Sequence, residues 1–193
     1  IALIKYSMAK ANSKFKLLEK SKLEPIQKAS QEVMDGKWLE QFPIDVFQTG
    51  SGTSTHMNVN EVVAKRSSEL SSTKIDAHDD LNIGQSSNDV IPSSIQIAAA
   101  LAIKNHLIPS LKNLINETEA LAQRSSGLIK TGRTHLMDAL PIKLEDEIKA
   151  WKYGLEYCFE EISDCLKKLS EIPLGGTAVG SGANSSRKAT LEC

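Results

Sequence analysis

Cysteine is scarce in this 193-residue chain, and the little there is has no chemical spacing. Cys158, Cys165 and Cys193 form no CxxC pair and no zinc or iron–sulfur pattern. A reducing compartment follows: the cytoplasm, or a mitochondrial matrix if a transit segment has been removed. Net charge is lacking as well. The 23 basic and 24 acidic residues are mixed along the chain to a formal −1, so no broad field steers it toward nucleic acid or an anionic membrane. Long apolar runs are also missing: Val90 to Ile103, free of acids and bases, falls short of the roughly 20 residues a bilayer span needs and reads as buried helix. Lys5, Lys10 and Lys14 interrupt the opening apolar residues, so no signal peptide is expected. Ile1 stands where Met would start a protein, which places the expected start upstream.

What is present is helical periodicity. Ile4, Met8, Ala11, Phe15 and Leu18 fall at steps of three and four and predict a first helix. A second is expected over Pro25 to Asp35, with Pro25 in its first turn and Gly36 as its left-handed cap. Periodicity fails from Lys37 to Thr55, then resumes near Asn58 and runs to about Leu70. Ser86, Ser87, Asn88 and Asp89 offer N-caps for one long helix to about Arg124. After Pro141, the series Leu144, Ile148, Trp151, Leu155, Cys158, Ile162, Cys165, Leu169 and Ile172 alternates steps of four and three. Two such rods carry more apolar surface than this chain can cover, so they are expected to pack against copies of themselves, with Cys158 and Cys165 as core positions. No strand alternation is expected anywhere. His106 reads as a structural residue in mid-helix.

Three polar clusters interrupt the helices: Thr49-Gly50-Ser51-Gly52-Thr53, Gln85-Ser86-Ser87-Asn88, and Gly132-Arg133-Thr134-His135. Short hydroxyl and amide donors at glycine turns and helix starts suit a small carboxylate. Taken singly, each has a plain reading as a connector, an N-cap or a solvated surface.

Together they carry a resemblance to the fumarase/aspartase superfamily, on its class II fumarase branch. The matching runs are Gln48 to Thr53 with Met57 to Val62, Gln85 to Pro92, Lys130 to Leu136 with Asp138, Ala139 and Pro141, and Leu174 to Gly180. They stand in family order from near the N-terminus to about Asn184. His135 and Ser87 select the fumarase branch, since aspartate ammonia-lyases resemble this chain but carry Gln and Thr at those positions. The implied fold is all-α, a long-helix bundle forming the core of a homotetramer. Residues 1–85 would be a smaller helical N-terminal domain, and 86–193 a central long-helix domain whose C-terminal part is missing.

The resemblance implies reversible hydration of fumarate to (S)-malate, a small dicarboxylate substrate, and no metal or organic cofactor. Ser51, Thr53, Ser86, Ser87, Asn88 and Thr134 would bind substrate, and His135 would be the acid/base at C2, a role that suits histidine as a residue type because free imidazole titrates near neutrality. The family's base is a serine on a Gly-Ser-Ser loop absent from these residues, so the chain alone is expected to be inactive, with sites shared between subunits. At the family's second, surface anion site only Asp79 matches: Asp76 replaces a histidine with a carboxylate that repels anions, and His78 is a solvated loop residue. His56, where asparagine is usual, is read as filling the rim of the first cluster. The alternatives are an aspartate ammonia-lyase or other superfamily lyase, and an inactive helical assembly or storage protein on the same scaffold.

Overall fold

The computed structural model describes residues 1–193. The chain is mostly helical: α1 (Ala2–Lys14), α2 (Lys20–Met34), a 3₁₀ turn at Leu39–Gln41, α3 (Thr53–Leu70), α4 (Ser87–Ala102), a π-helical turn at Ile103–Leu107, α5 (Ile108–Arg124), β1 (Ile129–Thr134), β2 (Met137–Lys143), α6 (Leu144–Leu169) and α7 (Arg187–Glu192). No helix is long and apolar enough to cross a membrane. Contacts divide the chain into one unit of residues 1–96 and 172–193 and a second of residues 97–171.

In the first unit, α1 packs on α2 and α2 on α3. Ala2, Ala9, Leu18, Ile26, Ala29, Val59, Val63 and Ala64 form the core, closed by Ile75 and Leu81 from the segment after α3. The helical steps of the sequence put these residues on facing stripes, and burying each large one contributes about 1.5–3 kcal/mol. α2 begins five residues before Pro25, which therefore lies inside the helix and leaves the Ser21 carbonyl without its usual N–H. The cap is as expected: Gly36 is left-handed at φ 79°, and Lys37 N–H closes the end on the Glu32 carbonyl at 3.0 Å.

α3 starts at Thr53, earlier than its apolar periodicity suggests, because side chains supply what propensity does not. Gln48 Oε1 accepts the Thr55 N–H at 3.2 Å, satisfying a donor of the first turn. Gly52, at φ 67°, would press a Cβ to 3.0 Å from the Ile91 side chain, so glycine suits the position twice over.

In the second unit, α5 packs along α6. The one long helix expected from the N-caps to Arg124 runs from Ser87 with a π turn inside it that ends two residues before Pro109; a proline cannot donate to the Asn105 carbonyl, and the ladder widens there. His106 lies in that turn and is exposed rather than packed. α6 starts at Leu144 as expected and ends at Leu169, short of Ile172, with Glu145, Asp146 and Glu147 at its positive end and Lys167 and Lys168 at its negative end. Its predicted stripe divides: Ile148 is buried and Leu155, Ile162 and Leu169 are partly covered, while Trp151, Cys158 and Cys165 are exposed on the single chain.

The hairpin corrects the expectation of no strands. β1 and β2 pair antiparallel from Ile129↔Lys143 to Thr134↔Met137, with an irregularity between Thr131 and Arg133. Neither strand has a buried face, so there is no alternation to read. At Gly132 a Cβ would lie 2.6 Å from the Leu140 carbonyl oxygen, which restricts that position to glycine.

Candidate active site

Two of the three donor clusters meet in the first unit. The first is the turn into α3: Ser51 and Thr53 are exposed, their hydroxyls 3.2 Å apart. The second is the start of α4, whose order comes from Asp89. One carboxylate oxygen accepts the Ser86 N–H at 2.8 Å, while Ser86 Oγ accepts the Asn88 N–H at 3.3 Å, so side chains satisfy two donors at the helix start. The other oxygen accepts Gly175 N–H at 3.0 Å and Thr177 N–H at 2.9 Å. Asn88 Nδ2 then donates to the Ala178 carbonyl at 2.7 Å. The Gly175–Ala178 segment is thereby fastened to the helix start by Asp89, expected from sequence only as a candidate N-cap, together with Asn88.

The link between the two clusters is His56. The sequence placed it at a rim; in the structure it is fully buried, with Nδ1 2.8 Å from Ser87 Oγ and Nε2 2.7 Å from Lys5 Nζ. Lys5 is 1% exposed. Its ammonium also reaches Gln85 Oε1 at 2.8 Å, Asn82 Oδ1 at 3.3 Å and the Leu81 carbonyl at 3.4 Å. Burial lowers the Lys5 ammonium to about 7 against the opposing pull of the Asp89 carboxylate. Burial, aided by the Lys5 charge, lowers His56 to about 3, so its imidazole is neutral. Lys5 sits on the apolar stripe of α1, where a sequence reading sees only an interruption; no periodicity signal marks it as buried.

Beside Ser87 opens a cleft of about 430 Å³, lined among others by Ser86, Gln85, Met57, Val179 and Thr177. Thr177 is held left-handed at φ 58°, and its buried hydroxyl has no hydrogen-bond partner. A β-branched residue in that conformation is strained, a condition that gathers at functional sites.

Thr134 and His135 belong to the second unit, at the hairpin tip. His135 and Leu136 form the two-residue turn, left-handed at φ 52° and 61°, a geometry usually given to Asn-Gly. Both side chains are exposed.

Around the accessory anion position, Asp76 Oδ1 accepts the His78 and Asp79 N–H groups at 2.8 and 2.9 Å, and these bonds hold its carboxyl below the ordinary range. The His78 ring meets the Asp79 carboxylate at 3.0 Å on the surface.

A lyase family signature matches residues 1–192. The class II fumarate hydratase of Saccharolobus solfataricus is 43% identical over 185 residues, covering 96% of this chain and 42% of that protein. The class II fumarate hydratase of Thermus thermophilus is 43% identical over 187 residues, covering 94% and 40%. Among solved structures, the class II fumarase from Schistosoma mansoni superposes with a TM-score of 0.94 at 36% identity, covering 99% of this chain and 41% of that one. The chain thus spans about two fifths of the length of these relatives. With the donor clusters, the helical architecture and these similarities in agreement, the chain belongs to this lyase family, alongside the class II fumarases.

Proposed function

We propose that this chain carries the substrate-binding half of a fumarate hydratase, adding water to fumarate to give (S)-malate. The observation that supports it most is the junction of two short-donor clusters, Ser51 with Thr53 and Ser86 with Ser87 and Asn88, around a buried Lys5–His56 pair, in a chain related throughout to class II fumarate hydratases. In this reading these residues, with Thr134, hold substrate carboxylate. His135 is the acid/base at C2.

In the malate-to-fumarate direction the C3 proton leaves first, and its electron pair moves into the adjacent carboxylate. The C2–O bond then breaks, and the hydroxyl departs as water with a proton from His135. Neutral donors bind the doubly charged aci-carboxylate group of this intermediate better than the singly charged carboxylate of the substrate, which is what accelerates the first step. The base that takes the C3 proton is assigned to no residue of this chain. The scheme assigns no step to a metal. Because Asp76 already occupies the neighbouring N–H pair with its own carboxylate, the accessory anion site does not bind in this reading. The exposed apolar residues of α5 and α6 support assembly as a homotetramer with shared sites.

Loss of fumarate absorbance with formation of malate by the intact protein tests the reading. His135→Asn is expected to lower kcat by about 10²- to 10⁴-fold. Aspartate formed from fumarate and ammonium, with no malate, overturns it in favour of an ammonia-lyase.

A further inference from the structure

We propose that Lys5 and His56 are positioning residues that fix the Ser87 hydroxyl as a donor directed away from the core, toward a carboxylate in the adjoining cleft. The inference rests on the reading of Ser87 as a substrate contact, and its argument is a count of protons.

Lys5 Nζ has four neighbours, His56 Nε2 and three oxygens. Gln85 Nε2 donates to the Leu81 and Ile83 carbonyls at 3.0 and 3.3 Å, which fixes Gln85 Oε1 toward the lysine. All three oxygens therefore accept. The ammonium has three N–H groups: one for Gln85 Oε1 at 2.8 Å, one for His56 Nε2 at 2.7 Å, and one shared between the two longer contacts to Asn82 and Leu81. His56 Nε2 is thus an acceptor, and the single proton of the neutral imidazole lies on Nδ1. Nδ1–H donates to Ser87 Oγ at 2.8 Å, so Ser87 accepts on its inner side and must donate its own proton elsewhere. The cleft is where Ser87 is open.

Without the lysine, the imidazole would be free to carry its proton on Nε2. Nδ1 would then accept from Ser87, and the hydroxyl would turn inward with only lone pairs facing the cleft. A carboxylate would meet an acceptor instead of a donor, a loss on the order of 10-fold or more in affinity for a hydrogen bond to a charged group. Neither Lys5 nor His56 needs to touch the substrate for this to hold.

The test reads the tautomer directly, by long-range ¹H–¹⁵N correlation on histidine-labelled protein at pH 6, with the His56 signal assigned by His56→Asn. Wild type is expected to show a proton on Nδ1 and a bare Nε2. Lys5→Met is expected to move the proton to Nε2 or to charge the ring, and Lys5→Arg to restore the Nδ1 form. A proton on Nε2 in wild type, or a tautomer unmoved in a folded Lys5→Met, overturns the proposal. In the hydration assay, Lys5→Met should lower kcat/KM for malate about 10-fold, and Lys5→Arg should recover it; an unchanged kcat/KM in a folded Lys5→Met whose tautomer has moved also counts against it. If wild type hydrates nothing while the tautomer pattern holds, the fumarate reading fails and the Lys5–His56–Ser87 arrangement stands.

Discussion

The unit of residues 1–96 and 172–193 encloses a core of apolar side chains, although Leu39, Val46, Phe47, Val179 and Leu191 stand exposed on it, while the unit of residues 97–171 buries almost none of its own. In the first, Ile4, Met8, Ile26, Val59, Val63 and Val90 are all buried; in the second only Ala122 and Ile148 are, and Leu107, Leu114, Leu121, Trp151, Tyr153 and Tyr157 are exposed. Both units were built from the same three-and-four periodicity. The pattern therefore marks a helix face as apolar without saying whether this chain covers it. The difference extends to polar groups: the first unit seals Lys5, His56 and Asp89 in hydrogen bonds, whereas His135 stands in the open on a strained turn.

Paired truncations should break or confirm this contrast most strongly. Ile26→Ala removes a fully buried side chain from the first unit and is expected to cost about 2–5 kcal/mol at any protein concentration. Trp151→Ala should cost under about 1 kcal/mol in dilute protein and act instead on association, visible as a loss of concentration dependence in the unfolding midpoint. Denaturant titrations at two concentrations decide the matter; equal costs for both variants in dilute protein would show that the second unit is as self-contained as the first.

Smaller is the effect of Gly132→Ala. A methyl group there meets the Leu140 carbonyl oxygen, so the hairpin must shift, at about 1–3 kcal/mol. Amide exchange of β1 should accelerate while α1 to α3 keep their protection. Uniform acceleration across both units would contradict their independence.

Acid should act on the first unit through His56. Its folded value of about 3 lies below the unfolded 6.5, so between these values the unfolded chain takes a proton that the folded one refuses. The His56 contribution is full above pH 6.5 and declines as pH falls, by at most about 1.4 kcal/mol per pH unit, the slope for one proton. Glu32, held down to about 2 chiefly by its hydrogen bond from Arg66, adds a loss in the same direction below pH 4.5. His56→Asn should flatten the upper part of this profile, measured as unfolding midpoint against pH.

The sequence made the helices legible wherever an apolar stripe ran long enough, as in α1, α3 and α6, and the motif runs located all three donor clusters. What stayed hidden had a physical reason in each case. Pro25 and Pro109 sit inside helices because tertiary packing tolerates a missing N–H that local rules treat as a boundary. The hairpin has no buried face, and so no alternation. Lys5 and His56 are polar residues in core positions, where burial depends on partners 51 to 80 residues away in sequence.

The smallest expected effect is at the turn that carries His135. Leu136 is 98% exposed and left-handed at φ 61°, a conformation that costs a leucine about 1–2 kcal/mol and a glycine nearly nothing. Glycine would return part of that gain through the greater freedom of the unfolded chain, about 0.5–1 kcal/mol. Leu136→Gly should therefore stabilise the hairpin by roughly 0.5–1 kcal/mol, seen as slower amide exchange in β1 and β2. It should also leave the backbone at His135 where it is, because a type I′ turn accepts glycine at its second position. Faster exchange would mean that the leucine side chain has a contact holding the turn, and that the second unit is less open at this end than at the faces of α5 and α6.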